Sequence, residues 1–115
     1  MAVKALSRSS QGGGVELITW SSLANGDTGE PLAMSQLPDK TVQLTGTLST
    51  GGEMTLQGSN DNTNWFTLSD AGGTDIVLTA LDGVTVMENP LYVRPNITGG
   101  DGSTDLTVIL VAIDK

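Results

Sequence analysis

The chain contains no cysteine and no histidine. The first absence removes disulfides, thiol nucleophiles and thiolate metal sites. The second removes imidazole acid–base chemistry and, with the first, the usual zinc ligands. Without cysteine, the redox compartment leaves no trace in the sequence. Aromatic side chains are almost missing: two Trp, one Tyr and one Phe, or 3% of 115 residues. Five basic residues face thirteen acidic ones, for a net charge of −8. So acidic a chain repels phosphate backbones, and nucleic acid is not an expected partner. No apolar run approaches the roughly 20 residues of a membrane span. The longest, residues 108–113, sits near the end of the sequence. The first ten residues lack the continuous apolar stretch of a secretory leader. No membrane association and no targeting address are expected.

Gly, Thr and Ser supply 40 of the 115 residues. This bias disfavours helices and favours strands joined by turns. The length bounds the chain to one domain. Period-two patterning is cleanest over residues 41–48, where Val42, Leu44, Gly46 and Leu48 alternate with Thr41, Gln43, Thr45 and Thr47. Gly51-Gly52 leads into residues 54–58, and the two segments read as a hairpin. Asp82-Gly83 suggests a second hairpin joining residues 75–80 to 84–88. Further strand signals fall at residues 15–21, 65–68 and 91–98, with a short extended piece at 32–37. Pro95 interrupts 91–98, which marks that strand as an edge or the site of a bulge. Residues 106–113 are apolar on both faces, the pattern of a strand covered on both sides. The expected fold is all-β: an antiparallel, jelly-roll-like β-sandwich of about eight short strands. Its expected core is Val42, Leu44, Leu48, Met54, Leu56, Val93, Leu106, Val108 and Leu110.

Residues 1–14 read differently. They carry Lys4 and Arg8 and no acid, and end in Gly12-Gly13-Gly14, a flexible joint. The expected organisation is a flexible arm over 1–14 and a sandwich domain over 15–115. In the arm, Lys4, Leu6 and Arg8 are the residues expected to contact a neighbouring subunit.

Catalytic patterns are absent. No Ser has a Gly two positions before and two after it, and neither glycine cluster continues into the Lys-Ser/Thr of a phosphate loop. Lys40 lies in a Pro-Asp-Lys turn. Asp101, Ser103 and Asp105 have the first spacings of a calcium loop, but Leu106 stands where that loop needs Gly and Ala112 where it needs Glu. Trp20 and Trp65 suit a sugar-binding surface, yet few other large side chains are available to fill the core. No catalysis, cofactor or metal is expected.

Four segments occur in an order that carries a resemblance. They are Ala24-Asn25-Gly26-Asp27-Thr28-Gly29, Thr41-Val42-Gln43-Leu44-Thr45-Gly46-Thr47, Gly58-Ser59-Asn60-Asp61-Asn62-Thr63-Asn64-Trp65, and Tyr92-Val93-Arg94-Pro95 with Gly99-Gly100-Asp101-Gly102-Ser103-Thr104. The chain from about Val15 to Ile113 resembles small tailed-bacteriophage virion proteins of the capsid decoration, or cement, kind. The resemblance implies a β-sandwich on the outside of an icosahedral head, bound to the major capsid protein, and a homo-oligomer (dimer or trimer) with no catalytic residues. The Pro-marked strand around Arg94 and Pro95 is the expected edge for self-association. The other readings are a phage tail or fibre module, or a carbohydrate-binding module.

Overall fold

Alternating Thr and aliphatic side chains, broken every few residues by Gly, Pro or Asn, give twelve strands and no helix among the described residues. The structure, a computed structural model, describes residues 2–33 and 38–113. The strands are β1 (Val3–Lys4), β2 (Leu6–Gly12), β3 (Val15–Leu23), β4 (Thr28–Gly29), β5 (Leu32–Ala33), β6 (Asp39–Thr47), β7 (Glu53–Ser59), β8 (Phe66–Thr67), β9 (Val77–Leu78), β10 (Gly83–Val86), β11 (Tyr92–Thr98) and β12 (Asp105–Ile113). Five of them are two residues long, which is why the count exceeds eight. Of the extended piece expected over 32–37, residues 34–37 lie outside the described residues.

The strands form two sheets. Sheet A runs β1-β4-β11-β7-β8, with β5 also on β11 and β9 also on β7; sheet B runs β10-β6-β12-β3-β2. Pairing is antiparallel throughout except between β1 and β4. After β3 the chain changes sheet repeatedly, so the two sheets are woven together rather than stacked as separate halves. This is an all-β sandwich of the jelly-roll kind.

The core lies between the sheets. Sheet B contributes Ile18, Trp20, Val42, Leu44, Val108 and Leu110; sheet A contributes Met54, Leu56, Val93 and Ile97. All are essentially inaccessible to solvent. Burying one such aliphatic side chain contributes about 1.5–3 kcal/mol. Every residue of the expected core is buried except Leu48, which is half-buried and packs against it. At the end of β3, Ser22 adopts φ 59° beside a register shift in the β3–β12 ladder. That bulge resets the alternation, so that Ser21 and Ser22 both face solvent and Leu23 returns to the core.

Four expectations need correction. Residues 1–14 are not a free arm: β2 pairs along β3 from Leu6↔Trp20 to Gly12↔Val15, and β1 pairs with β4. Gly12-Gly13-Gly14 closes this hairpin with φ of 84°, 61° and 81°, a left-handed backbone that Gly adopts without steric cost. The two expected hairpins are sheet-to-sheet crossings instead. β6 lies in sheet B and β7 in sheet A; β9 lies in sheet A and β10 in sheet B. The strand holding Arg94 and Pro95 is not an edge, because β11 is central in sheet A. Its ladder to β4 and β5 runs through Asn96, Val93 and Tyr92 and skips Arg94 and Pro95, so the missing N–H of Pro95 leaves no vacancy there. Lys40 does not sit in a turn: it is a buried residue of β6.

Candidate binding face

On β11, Val93, Pro95 and Ile97 point into the core, so Tyr92, Arg94 and Asn96 stand on the outer face of sheet A. Across the ladder, Arg94 is opposite Gln57 of β7. The Arg94 Nε–H donates to Gln57 Oε1 at 2.9 Å, and the guanidinium lies 4.0 Å from the centroid of the Trp65 ring. Partial burial lowers the pKa of Arg94 from its ordinary value, but a guanidinium remains a cation at neutral pH. Among the described residues the ion pairs are Lys4–Asp27 and Arg8–Glu16, so Arg94 is a cation held in place without an acidic partner.

Trp65 is delivered to this face by the turn before it. Asp61 Oδ1 accepts from the backbone N–H groups of Thr63 and Asn64 at 2.9 and 2.8 Å, and Oδ2 accepts from Asn64 Nδ2 at 2.8 Å. Ser59 Oγ accepts from Asn62 N at 2.9 Å and donates to Asp61 Oδ1 at 2.9 Å. Asn60 Oδ1 takes the N–H of Leu91 and ties the turn to the start of β11. Asn62 supplies the positive φ, 60°, that Asn tolerates better than most residues. Of the four aromatic residues, only Trp20 is core, with its Nε1–H donating to Glu30 O at 3.0 Å. Trp65 and Tyr92 are half-buried and Phe66 is exposed, and all three belong to sheet A or its flank. Aromatic and Arg side chains are the types that dominate binding at protein interfaces. One face of Trp65 is covered by Arg94.

The other residues singled out in the sequence have partners inside the chain. Lys4 Nζ lies 3.7 Å from Asp27 Oδ2; Asp27 is buried and also accepts from Ala2 N and Ala24 N. Leu6 packs against the core, and its N–H donates to Glu30 Oε1. Arg8 Nε donates to Glu16 Oε1 at 2.8 Å within the β2–β3 hairpin. Lys4, Leu6 and Arg8 therefore make contacts that hold β1 and β2 to the body. Asp101 Oδ1 accepts from Ser103 N and Ser103 Oγ, closing a turn before β12. The described residues contain no group of three or more acidic side chains placed to hold a metal ion.

One cluster was missed by sequence reasoning. Buried Lys40 donates to Asn89 Oδ1 and to Pro38 O, while Glu88 accepts from Ser69 N and Ser69 Oγ. Burial lowers the pKa of Lys40, opposed by Asp39 and Glu88. Lys40 shares the inward parity of Val42 and Leu44, and that register is the signal that identifies it as buried. The cluster fastens the segment before β11 to β6.

No family model matches the chain, and no curated protein sequence does. Solved structures share its fold. The SPBc2 prophage-derived protein YomS matches with a TM-score of 0.68 at 14% identity, over 87% of this chain and 95% of that one. An RmlC-like cupin protein from Desulfovibrio desulfuricans matches at TM-score 0.50 and 8% identity, over 94% and 79%. At these identities the likeness is one of architecture: a jelly-roll sandwich.

Proposed function

We propose that the chain is a non-enzymatic structural protein of a bacteriophage particle that binds the outside of the capsid through the major capsid protein. The observation that carries this reading is the agreement between the four ordered motifs and a prophage-derived fold neighbour, YomS, whose chain is matched almost end to end. The surface supports it. The outer face of sheet A offers a fixed guanidinium without an acidic partner, stacked on Trp65, with Tyr92 on the same face. Such a patch suits a carboxylate-bearing, partly apolar protein surface. The contacts of Lys4, Leu6 and Arg8 within the fold favour this face for the capsid contact.

The test is co-sedimentation of the purified chain with heads of its phage that lack it. Saturable binding and greater resistance of the heads to heat are expected. Arg94→Ala and Trp65→Ala, checked for folding by circular dichroism, are expected to weaken binding at least about tenfold each. Recovery of the chain with tails or fibres, or no binding to heads, would overturn the proposal.

A further inference from the structure

An Asn or Asp followed by Gly is a point where a peptide chain readily closes on itself, because glycine has no side chain to shield its amide nitrogen. The sequence has three such pairs: Asn25-Gly26, Asp82-Gly83 and Asp101-Gly102. The fold treats each differently. Asn25 and Gly26 are the middle of a turn closed by Asp27 N donating to Ala24 O, with φ 84° at Gly26. The Gly26 N–H donates to the carbonyl of buried Ile97 at 3.0 Å, which holds its proton toward β11. At Asp101-Gly102 the carboxylate is committed one residue further on, where Oδ1 accepts from Ser103 N and Ser103 Oγ. At Asp82-Gly83 the carboxylate sits on the neighbouring nitrogen itself: Gly83 N donates to Asp82 Oδ1 at 2.8 Å. Both residues are exposed. Leu44 N donates to Asp82 O at 2.9 Å, so these two form a hydrogen-bonded pair and the next pair, Gly83↔Gln43, does not. The Gly83 N–H therefore faces away from β6, on the open side of β10 at the edge of sheet B, within reach of water and base.

We infer that Asp82 is a site of spontaneous isoaspartate formation in the folded protein, and that the fold shields Asn25, the more labile residue in an open chain. The Gly83 nitrogen loses its proton to base and bonds to Cγ of the protonated Asp82 carboxyl. The carboxyl hydroxyl leaves as water, and a five-membered succinimide closes. Water then opens the ring. Cleavage at Cγ restores Asp; cleavage at the original carbonyl carbon leaves Gly83 joined through Cγ, an isoaspartyl link. One water leaves and one returns, so no co-reactant is needed and the mass is unchanged. The ring atoms are Gly83 N with Asp82 C, Cα, Cβ and Cγ, and the bond at 2.8 Å holds the two ends of that ring together. At Asn25 the same closure would expel ammonia, but its nucleophile is kept as an N–H by Ile97 O, so reaction waits for the turn to open. At Asp101, Ser103 holds the carboxyl below its ordinary range, and an ionised carboxylate has no hydroxyl to release. The shielded turn is the one that places Asp27, whose buried carboxylate accepts from Ala2 N and Ala24 N. The reactive one lies at the entrance to β10, on the wall of an open groove of about 650 Å³. There the product lengthens the backbone by one atom and alters the carbonyl that accepts from Leu44 N. The inference stands whether or not the chain belongs to a virion.

Incubation of the full chain at neutral pH and physiological temperature tests it, beside the same chain unfolded in guanidinium chloride. Peptide mapping by mass spectrometry separates isoaspartyl from aspartyl forms and deamidated from intact Asn25. In the folded chain, isoaspartate is expected at residue 82 ahead of residues 25 and 101. In the unfolded chain, Asn25 is expected to react first, and at least about tenfold faster than in the fold. A Cβ added at Gly83 would stand 3.5 Å from Val42 O and 4.0 Å from Gln43 Cβ, which is ordinary contact. Gly83→Ala is therefore expected to fold as wild type by circular dichroism. By shielding the nitrogen it is expected to slow isoaspartate formation at residue 82 at least about tenfold. Deamidation of Asn25 as fast in the folded chain as in the unfolded one would refute the inference. So would a folded chain without isoaspartate at residue 82 by the time the unfolded chain has formed it, or a folded Gly83→Ala that forms it at the wild-type rate.

Discussion

A Cβ built on Gly29 would stand 2.5 Å from Trp20 Cδ1 and 2.6 Å from Pro95 Cδ. Neither neighbour can retreat: Trp20 is fully buried with its Nε1–H bonded to Glu30 O, and Pro95 is fixed in β11. Gly29→Ala is therefore expected to destabilise the fold by about 1–3 kcal/mol through overpacking. Gly102→Ala, which meets nothing within 4 Å, is expected to be nearly neutral, and paired thermal melts would separate the two. Asp27 is a second test at this scale. Its carboxylate takes the N–H groups of Ala2 and Ala24 in a buried position. Asp27→Ala strands both donors and is expected to cost about 1–3 kcal/mol by urea unfolding. The two Trp residues look alike in composition, and their different fates follow from local context. Trp20 shares the inward parity of Ile18 in a long strand, which the alternation makes legible. Trp65 follows the Asp61 turn, and only the register of β7 against β11 brings Arg94 over its ring.

At the scale of elements, periodicity located the strands and the core, but the pairing of strands was not legible. β6 and β7 alternate correctly whether they fold back on each other or cross to opposite sheets, and the Gly51-Gly52 turn serves either path. Polar β2 misled for a related reason. It is an edge strand with mostly exposed side chains, so it lacks the alternation that marks a half-buried strand. The triple glycine was consistent with a linker or a hairpin, and the positive φ values show a hairpin. A direct measurement distinguishes the two. Gly13 has φ 61° and open space around its Cβ position, which Asn accepts in a two-residue hairpin turn. Gly13→Asn is expected to stabilise the fold by about 0.4–1 kcal/mol by narrowing the unfolded ensemble. In a flexible linker the same change would do nothing. Removal of residues 1–12 is expected to lower the melting temperature and promote aggregation, since it bares the edge of β3 and strips Leu6 from the core.

For the whole molecule, the distribution of carboxylates sets the response to acid. Four acidic groups have folded-state pKa values below their ordinary ones. Arg8 lowers Glu16; the N–H and side chain of Asn64, with Thr63 and Ser59, hold Asp61 well below the carboxylate range; Ser103, with Ser49, lowers Asp101. At Glu88, burial pushes upward but the hydroxyl and N–H of Ser69 prevail. In each case the unfolded chain binds more protons than the folded one between the two pKa values. Their contribution is thus fully present above the ordinary carboxylate range, about 4–4.5, and is lost as pH falls through the folded values. Charge repulsion adds little to this loss in acid. With every carboxylate protonated, only five Lys and Arg side chains remain charged, a weak force for expansion compared with −8 at neutrality. The melting temperature is therefore expected to change little from about pH 7 to 5 and to fall below about pH 4. Because the loss comes from particular turns, it is expected to be specific to them. Asp61→Asn, which keeps an acceptor but no charge, should melt lower than wild type at pH 7 and converge toward it by pH 2. A wild-type midpoint that stays flat down to pH 2, or two curves that remain parallel, would show that the Asp61 turn does not carry the acid response.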